Sequence, residues 1–100
     1  MLNVTKKTEG DCLTAAVEGR LNSLTAPQFS SEINASLDGI NTLILDCEKL
    51  EYMSSAGLRT FLILHQQMAE KGGMKIIRVN NPTIREILDM TGFSGILTIE

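Results

Sequence analysis

Residues 42–58 have the sequence TLILDCEKLEYMSSAGL, in which an apolar run leads through a short polar stretch into a turn of small residues. The run Thr42–Cys47 is nearly continuous in apolar character, which is typical of a central strand buried on both faces. A helix is predicted to begin near Ser55, because the apolar residues that follow share one stripe of a helical wheel. The residues on that stripe are Leu58, Phe61, Leu62, Leu64, His65, Met68 and Ala69. A buried strand that leads into an amphipathic helix indicates an α/β fold.

The residues before this stretch predict a hairpin and a first helix. Two strand patterns within residues 2–17 are separated by a turn-like segment. Thr25–Gln28 has the spacing of a capping box, and Leu24 and Phe29 are placed to form a hydrophobic staple across the start of the helix. The apolar spacing continues beyond this point, so we expect the first helix to run to about Asp38.

The residues after the stretch predict two more strands with a helix between them. Met74–Val79 is a strand candidate, Asn81-Pro82 has the pattern of an N-cap followed by a first-turn proline, and Gly95–Ile99 is a short last strand. The predicted order is β-β-α-β-α-β-α-β in a single domain over residues 1–100. With right-handed crossovers, this order gives a mainly parallel central sheet with one antiparallel edge and helices packed on it.

The composition excludes several classes of protein. The chain has 100 residues and a net charge of −3, which argues against nucleic acid or an anionic membrane as the main partner. No apolar stretch approaches the roughly 20 residues of a membrane span, and the N-terminus lacks the apolar core of a signal peptide, so we expect a cytoplasmic protein. The single histidine and the separated cysteines form no metal-binding cluster. We therefore expect reduced thiols, no metal and no cofactor.

Ser54 and Ser55 stand where the second helix begins, and helix capping is the first interpretation of them. A serine at the N-cap stabilises a helix by about 0.5–2 kcal/mol relative to alanine. Capping does not account for Gly57, which lies in the first turn and costs about 1 kcal/mol of helix propensity. Ala56 and Gly57 therefore suggest that something approaches the backbone closely here.

A catalytic serine is the second interpretation, and the sequence disfavours it. The nucleophile-elbow pattern GxSxG lacks its first glycine, because Met53 stands at that position. His65 lies about 15 Å further along the same helix, at 1.5 Å per residue, so it cannot serve as the base. We expect it to be a core histidine with satisfied hydrogen bonds. The glycine patterns of phosphate-binding loops are also missing, and we expect no enzyme activity.

Modification is the third interpretation of the serine turn. A phosphoryl group on a serine at a helix N-terminus meets unpaired backbone N–H groups and the positive end of the helix dipole. It adds about −1.5 to −2 units of charge without disrupting the fold, so its effect falls on whatever surface docks there. On residue chemistry alone, capping ranks ahead of modification.

Three stretches of the chain resemble the STAS family (sulfate transporter and anti-sigma factor antagonist domains), and within it the small stand-alone bacterial antagonists. Gly19–Ala26 resembles the family pattern G-x-L-D-x-x-T/N-A, which leads into the first helix. Leu50–Leu58 resembles the turn L-x-x-[IFM]-D-S-[SA]-G-L, and Asn81–Phe93 resembles the end of the third helix. The resemblance covers practically the whole chain, and its middle motif is the most specific.

The resemblance implies a protein-interaction switch in which Ser55 is the phosphorylated residue. In that family an anti-sigma factor that is also a serine kinase binds the unmodified protein, which frees a sigma factor and so regulates transcription. Phosphorylation by the same kinase would end the complex, and a cognate phosphatase would restore it. Ala56 and Gly57 would keep the approach to Ser55 open.

Two residues depart from the family pattern. Ser54 stands where relatives carry an aspartate before the phosphorylated serine, and Asn22 replaces the aspartate of the first motif. Both are predicted to lie at one pole of the domain, where they can hydrogen-bond a partner without carrying charge, so we expect altered partner choice. Family members often carry a helix after the last strand, and we expect this chain, which stops at Glu100, to be short at that end.

Two residues of the second helix are further candidates for a partner surface. Arg59 follows Ser55 by four residues and could fold back toward a phosphate. Ile63 is the one large apolar residue on the polar side of the predicted helix. The alternative function is a constitutive STAS scaffold subunit of a larger assembly, such as a stressosome-like particle or a lipid-transport complex, without phosphorylation. The sequence leaves the oligomeric state open.

Overall fold

The computed structural model of the chain describes residues 2–92 and 95–100. In chain order they form two strands, a helix, two strands, a helix, a strand, a helix and a last strand. The strands are β1 (Leu2–Glu9), β2 (Cys12–Leu21), β3 (Thr42–Asp46), β4 (Leu50–Met53), β5 (Met74–Ile77) and β6 (Thr98–Ile99). The helices are α1 (Ala26–Asn34), α2 (Ser55–Ala69) and α3 (Pro82–Met90).

The strands form one mixed sheet. β1 pairs with β2 in the antiparallel direction, and the remaining pairs are parallel in the order β2-β3-β5-β6, with β4 also paired to β2. The predicted mainly parallel sheet with one antiparallel edge is confirmed. Because each crossover steps to the next strand in the same direction, right-handed connections place α1, α2 and α3 on the same face of the sheet.

The helix-covered face of the sheet carries the hydrophobic core. Two rows of the parallel register are buried there, Leu13–Leu43–Met74 and Ala15–Leu45–Ile76. Phe29 of α1 and Phe61 of α2 are fully buried above these rows, and their ring centroids lie 5.7 Å apart. Full burial of a large apolar side chain contributes about 1.5–3 kcal/mol, so these rows and rings fix the helices on the sheet.

The opposite face of the sheet lies away from the helices. On this face Ile44 and Ile77 are only half-buried, with Thr14 and Lys75 beside Ile44 in the register. The prediction that Thr42–Cys47 is buried on both faces is therefore wrong for Thr42 and Ile44, whereas Asp46 on the same face is buried. The physical reason is topological, because a constant direction of right-handed crossovers leaves one face of the sheet without helices.

Strand β4 was not predicted from the sequence. Its outer residues Leu50 and Met53 are buried while Glu51 and Tyr52 are exposed, so the strand lacks the alternation that marks a half-buried strand. It continues along the same side of β2 that β3 occupies, after a short turn over residues 47–49. The polar stretch between the predicted strand and helix is thus part of the sheet.

Helix α1 differs from its prediction at both ends. Thr25 has helical dihedral angles (φ −94°, ψ −18°) and makes no side-chain cap, so the predicted capping box does not form. Leu24 is 87% exposed, so the predicted staple with Phe29 is also wrong. The helix ends at Asn34, ahead of the predicted Asp38, because the chain tightens there into turns such as Ser36 N–H to Ile33 C=O at 2.9 Å.

The other helices agree more closely with the sequence. Helix α2 begins at Ser55 as predicted, and its buried stripe is confirmed at Leu58, Phe61, Leu64 and Met68, whereas Leu62 is half-buried and Ala69 is exposed. Asn81 caps α3 by accepting from the N–H groups of Thr83 and Ile84 at 2.9 and 3.4 Å.

The end of the chain is less regular than predicted. The last strand is confined to Thr98–Ile99 instead of Gly95–Ile99, and Phe93, which belongs to the third family-like stretch, lies outside the described residues. No helix within the described residues is long and apolar enough to cross a membrane.

Candidate functional site

The two serines lie at the carboxyl ends of two neighbouring parallel strands. Leu21, the last residue of β2, pairs with Met53, the last residue of β4, and the N–H of Ser54 donates to the Leu21 carbonyl oxygen at 2.9 Å. The loop over residues 22–25 leaves β2 beside this turn. We call the surface formed by residues 20–25 and 51–59 the serine pole.

Ser54 and Ser55 have different roles in the turn. Ser54 is the N-cap of α2, with an extended backbone (φ −90°, ψ 176°), and its hydroxyl oxygen accepts from the N–H of Gly57 at 3.3 Å. Its carbonyl oxygen accepts from the N–H of Leu58 at 3.0 Å. Ser55 is the first helical residue, and its exposed side chain takes part in no hydrogen bond within the described chain. Ser54 therefore caps the helix and leaves the hydroxyl of Ser55 accessible.

Gly57 is required by packing inside the protein. A Cβ on this residue would lie 2.7 Å from the Cγ of Leu21 and 3.0 Å from its carbonyl oxygen. Gly57 is accordingly buried, and Ala56 beside it is half-buried. The close approach that these small residues suggested is made by the end of β2, which lets α2 start directly against the sheet.

Asn22 organises the loop of the serine pole. Its side-chain oxygen accepts from the N–H groups of Leu24 and Thr25 at 3.0 and 3.1 Å. The Thr25 hydroxyl accepts from the Asn22 N–H at 2.9 Å and donates to the Arg20 carbonyl oxygen at 2.8 Å. An aspartate could accept the same two backbone bonds, so asparagine preserves the shape of the loop and removes its charge.

Arg20 and Tyr52 form a contact that sequence reasoning missed. They are partners in the register of β2 and β4, and the guanidinium carbon of Arg20 lies 4.4 Å from the centroid of the Tyr52 ring. Such a cation–π contact at an exposed site contributes about 0.5–1 kcal/mol. The signal that would have revealed it is the pairing of β4 with β2, which the sequence pattern does not display.

Arg59 and Ile63 lie on the exposed side of α2. Their spacing of four residues continues the line that begins at Ser55, and Ile63 is 43% exposed. Arg59 makes no salt bridge within the part of the chain that the structure describes, so its guanidinium group is free to turn toward Ser55. The structure therefore brings Asn22, Ser54 and Ser55 together, with Arg59 one turn away and Ile63 two turns away along the helix.

Two polar anchors fix the strand that carries the turn. The side-chain amide of Asn81 donates to the Glu51 carbonyl oxygen at 3.2 Å, which ties the start of α3 to β4. Before the turn into β4, Asp46 accepts from the Glu48 N–H at 3.1 Å and pairs with Arg78. Asp46 is only 7% exposed, so its carboxylate forms this anchor within the fold.

The electrostatics of this anchor are set by Arg78. Its hydrogen bond to Asp46, together with the charges of Asp46 and Glu48, raises the pKa of the guanidinium group, which stays a cation at every working pH. Its backbone has a positive φ of 57°, a conformation that non-glycine residues rarely adopt. Burial, together with the charge of the preceding residue Asp46, raises the pKa of the Cys47 thiol to about 12, so this thiol stays neutral and unreactive.

The geometry gives no support to the catalytic alternatives. Across residues 2–92 and 95–100, no three histidine, cysteine, aspartate or glutamate side chains are grouped to hold a metal ion. His65 is half-buried on α2, and its Nδ1 is buried without a hydrogen-bond partner in the described chain, so the expectation of a satisfied core histidine is wrong. The groups that the serine pole can offer to a partner are the accessible hydroxyl of Ser55, the loop held by Asn22, and two arginine side chains.

The fold and the site together define a class of protein. It is a small α/β domain in which helices cover one face of the sheet, and a capping serine is followed directly by an exposed serine. The chain belongs to the STAS domain family, whose profile matches residues 3–100. BtrV of Bordetella bronchiseptica, named as a candidate anti-sigma factor antagonist, is 34% identical over 88 residues, which cover 87% of this chain and 76% of BtrV.

Solved structures share the fold at lower identity. The crystal structure of an anti-sigma factor antagonist from Mycobacterium paratuberculosis superposes with a TM-score of 0.90 at 19% identity, covering 99% of this chain and 85% of that one. SpoIIAA in its unphosphorylated form gives a TM-score of 0.81 at 16% identity, covering 100% of this chain and 88% of SpoIIAA. The phosphorylated form of Bacillus SpoIIAA gives 0.73 at 16% identity, with 100% and 91% coverage. These likenesses establish the fold.

Proposed function

We propose that this protein is an anti-sigma factor antagonist that binds an anti-sigma factor through its serine pole and is switched by phosphorylation of Ser55. The observation that carries the proposal is the division of roles between the two serines. Ser54 caps α2, so Ser55 is left exposed at the first helical position with its hydroxyl unused. The name of the Bordetella relative points to the same role.

The first turn of α2 suits a phosphoryl group. A phosphate on Ser55 would meet the positive end of the helix dipole of α2. This attraction does not require the N–H groups of Gly57 and Leu58, which already donate to Ser54. Arg59 is placed to supply a charge-assisted hydrogen bond from one turn further on. The modified protein would therefore keep its fold, and the effect of the phosphate would fall on the docking surface.

Phosphorylation would reverse the local charge of the serine pole. Its residues include two cations, Arg20 and Arg59, and one acid, Glu51. A phosphoserine adds about −1.5 to −2 units of charge, which would turn a locally positive surface negative. A partner that docks on the unmodified pole would then be repelled.

The proposed partners are an anti-sigma factor with serine kinase activity and a phosphatase that restores the unmodified protein. The unmodified chain would hold the anti-sigma factor and free a sigma factor, in the cytoplasm where transcription takes place. In this scheme the protein is a binding module, and the chemistry of phosphoryl transfer is supplied by the kinase. The description of SpoIIAA in both phosphorylated and unphosphorylated forms supports the switch for a protein of this fold.

A constitutive scaffold is the second candidate function, and one observation favours it. Asn22 and Ser54 stand where family relatives carry aspartates, and both side chains are engaged in their own loops. A pole without these acids would suit a lasting contact that no kinase regulates.

The test uses intact-mass measurement. The purified chain is incubated with ATP and each serine kinase of the anti-sigma factor class from the same organism. We expect one phosphoryl adduct in the wild type and in Ser54→Ala, and none in Ser55→Ala. An adduct that persists in Ser55→Ala would contradict the assignment of Ser55, and the absence of an adduct with every such kinase would favour the scaffold.

A further inference from the structure

Leu24 is a large apolar residue that the fold does not use. Its side chain is 87% exposed, more than that of the other large apolar residues exposed in the described chain. Phe29, with which it was expected to form a staple, packs instead against Phe61 in the core. Leu24 is therefore free to contact another molecule.

The backbone that carries Leu24 is held in place. Its N–H donates to the Asn22 side chain, and Thr25, the next residue, bonds to Asn22 and to the Arg20 carbonyl oxygen. A loop with its polar groups satisfied internally loses little conformational entropy when it binds. An exposed apolar side chain on a fixed loop has the properties of a binding anchor.

The surroundings of Leu24 indicate the chemistry of its partner. The serine pole carries Arg20 and Arg59 against the single acid Glu51, on a protein whose net charge is −3. The N-termini of α1 and α2 add the positive ends of two helix dipoles. The Arg20–Tyr52 pair lies on the helix-free face of the sheet, since the neighbours of Arg20 in β2 face the core, and it therefore borders the pole on the side away from Arg59. A complementary surface is apolar at its centre and acidic around it.

We propose that Leu24 is the apolar anchor of the serine pole, and that it inserts into an apolar pocket of the anti-sigma serine kinase bordered by acidic side chains that face Arg20 and Arg59. This inference rests on the proposed function and specifies the partner surface. It also explains release, because a phosphate on Ser55 would face the same acidic side chains and be repelled by them.

The test compares two exposed apolar residues. Leu24→Ala removes the anchor, and Met90→Ala is the matched control, since Met90 is 77% exposed at the far end of α3 from the serine pole. Binding of each unmodified variant to the purified anti-sigma serine kinase of the same organism is measured by calorimetric titration. We expect Leu24→Ala to weaken binding about tenfold or more, and Met90→Ala to change it less than about twofold. The wild-type affinity should fall as salt is raised.

Each departure from these results has a defined meaning. Binding of Leu24→Ala equal to that of the wild type would overturn this inference and leave the proposed function standing. If the wild type binds none of the organism's anti-sigma serine kinases, the proposed function fails and this inference fails with it. A salt-independent affinity would overturn the acidic border of the pocket.

Two further measurements separate an anchor from other roles of Leu24. The thermal midpoint of Leu24→Ala should equal that of the wild type, and a lower midpoint would show that Leu24 serves the fold. Sedimentation of the chain alone should be the same for both proteins. Self-association that disappears in Leu24→Ala would assign Leu24 to a contact between copies and overturn the inference.

Discussion

The carbonyl oxygen of Leu21 lies against Gly57, at 3.0 Å from the position that a Cβ on residue 57 would occupy. The same oxygen accepts the N–H of Ser54 at 2.9 Å. One backbone carbonyl at the end of β2 therefore sets both the start of α2 and the position of its capping serine. The accessibility of Ser55 depends on this contact, since Ser55 follows the cap directly.

Gly57→Ala should destabilise the protein. The new Cβ would lie 2.7 Å from the Cγ of the fully buried Leu21 and 3.0 Å from its carbonyl oxygen, which is held in the β2–β4 pairing, and we expect a loss of about 1–3 kcal/mol in the free energy of unfolding. This exceeds the gain of about 1 kcal/mol in helix propensity. Gly95→Ala is the control, because a Cβ there meets nothing within 4 Å. Chemical denaturation measures both, and equal stability of Gly57→Ala and the wild type would contradict the packing argument.

Ser54→Ala and Ser55→Ala should differ in stability. Loss of the N-cap hydroxyl removes the bond to the Gly57 N–H and should cost about 0.5–2 kcal/mol. Ser55→Ala removes an exposed hydroxyl without a hydrogen bond and should lie within about 0.5 kcal/mol of the wild type. Thermal and denaturant unfolding of the two variants gives the comparison. A larger loss in Ser55→Ala would show that Ser55 is the cap.

Arg59→Ala should lower the thermal stability of the phosphorylated protein and leave that of the unmodified protein unchanged. If Arg59 turns toward a phosphate on Ser55, its removal lowers the thermal midpoint of the phosphorylated form and leaves the unmodified form unchanged. Arg85→Ala, an exposed arginine on α3, is the control. Equal shifts in the phosphorylated and unmodified forms of Arg59→Ala would rule out this contact.

Cys47 should be unreactive in the folded protein and should make stability depend on pH. Its pKa is raised from 9.0 to about 12 by burial, so the folded state keeps its proton where the unfolded thiol loses it. The stabilisation that the buried neutral thiol gives the folded state is complete below pH 9. It is lost as the pH rises toward about 12, so the free energy of unfolding falls over that range.

Thiol labelling and alkaline denaturation check this prediction. A thiol reagent at pH 8 should label Cys12 in the native protein and both cysteines after unfolding. The loss of stability above pH 9 should persist in Cys12→Ala and be reduced in Cys47→Ala. Rapid labelling of native Cys47 would contradict the burial argument.

The sequence predicted those elements whose signals are local. The buried stripe of α2, the Asn81 cap of α3 and the strand pattern around Leu43–Leu45 all depend on residues close together in the chain, and they are confirmed. The start of α2 at Ser55 was also predicted, because small and polar residues change there to a helical apolar spacing.

What could not be predicted depends on contacts between distant residues. β4 has no alternation of its own and exists because β2 supplies its hydrogen bonds. The Thr25 hydroxyl was expected to cap α1, but Asn22 and the Arg20 carbonyl compete for it successfully. The role of Gly57 similarly requires knowing that Leu21 lies beside it. These are choices among hydrogen-bond and packing partners, which only the assembled sheet determines.

The side-chain oxygen of Asn22 holds its loop as an aspartate would, yet nothing in that loop can gain or lose a proton. The shape of this loop therefore does not depend on a negative charge at residue 22. Under the proposed function, two STAS proteins in one cell could present the same loop, differ by a single amide and so bind different anti-sigma factors. Exchanging asparagine and aspartate at this position would then change the choice of partner and leave the architecture of the protein unchanged.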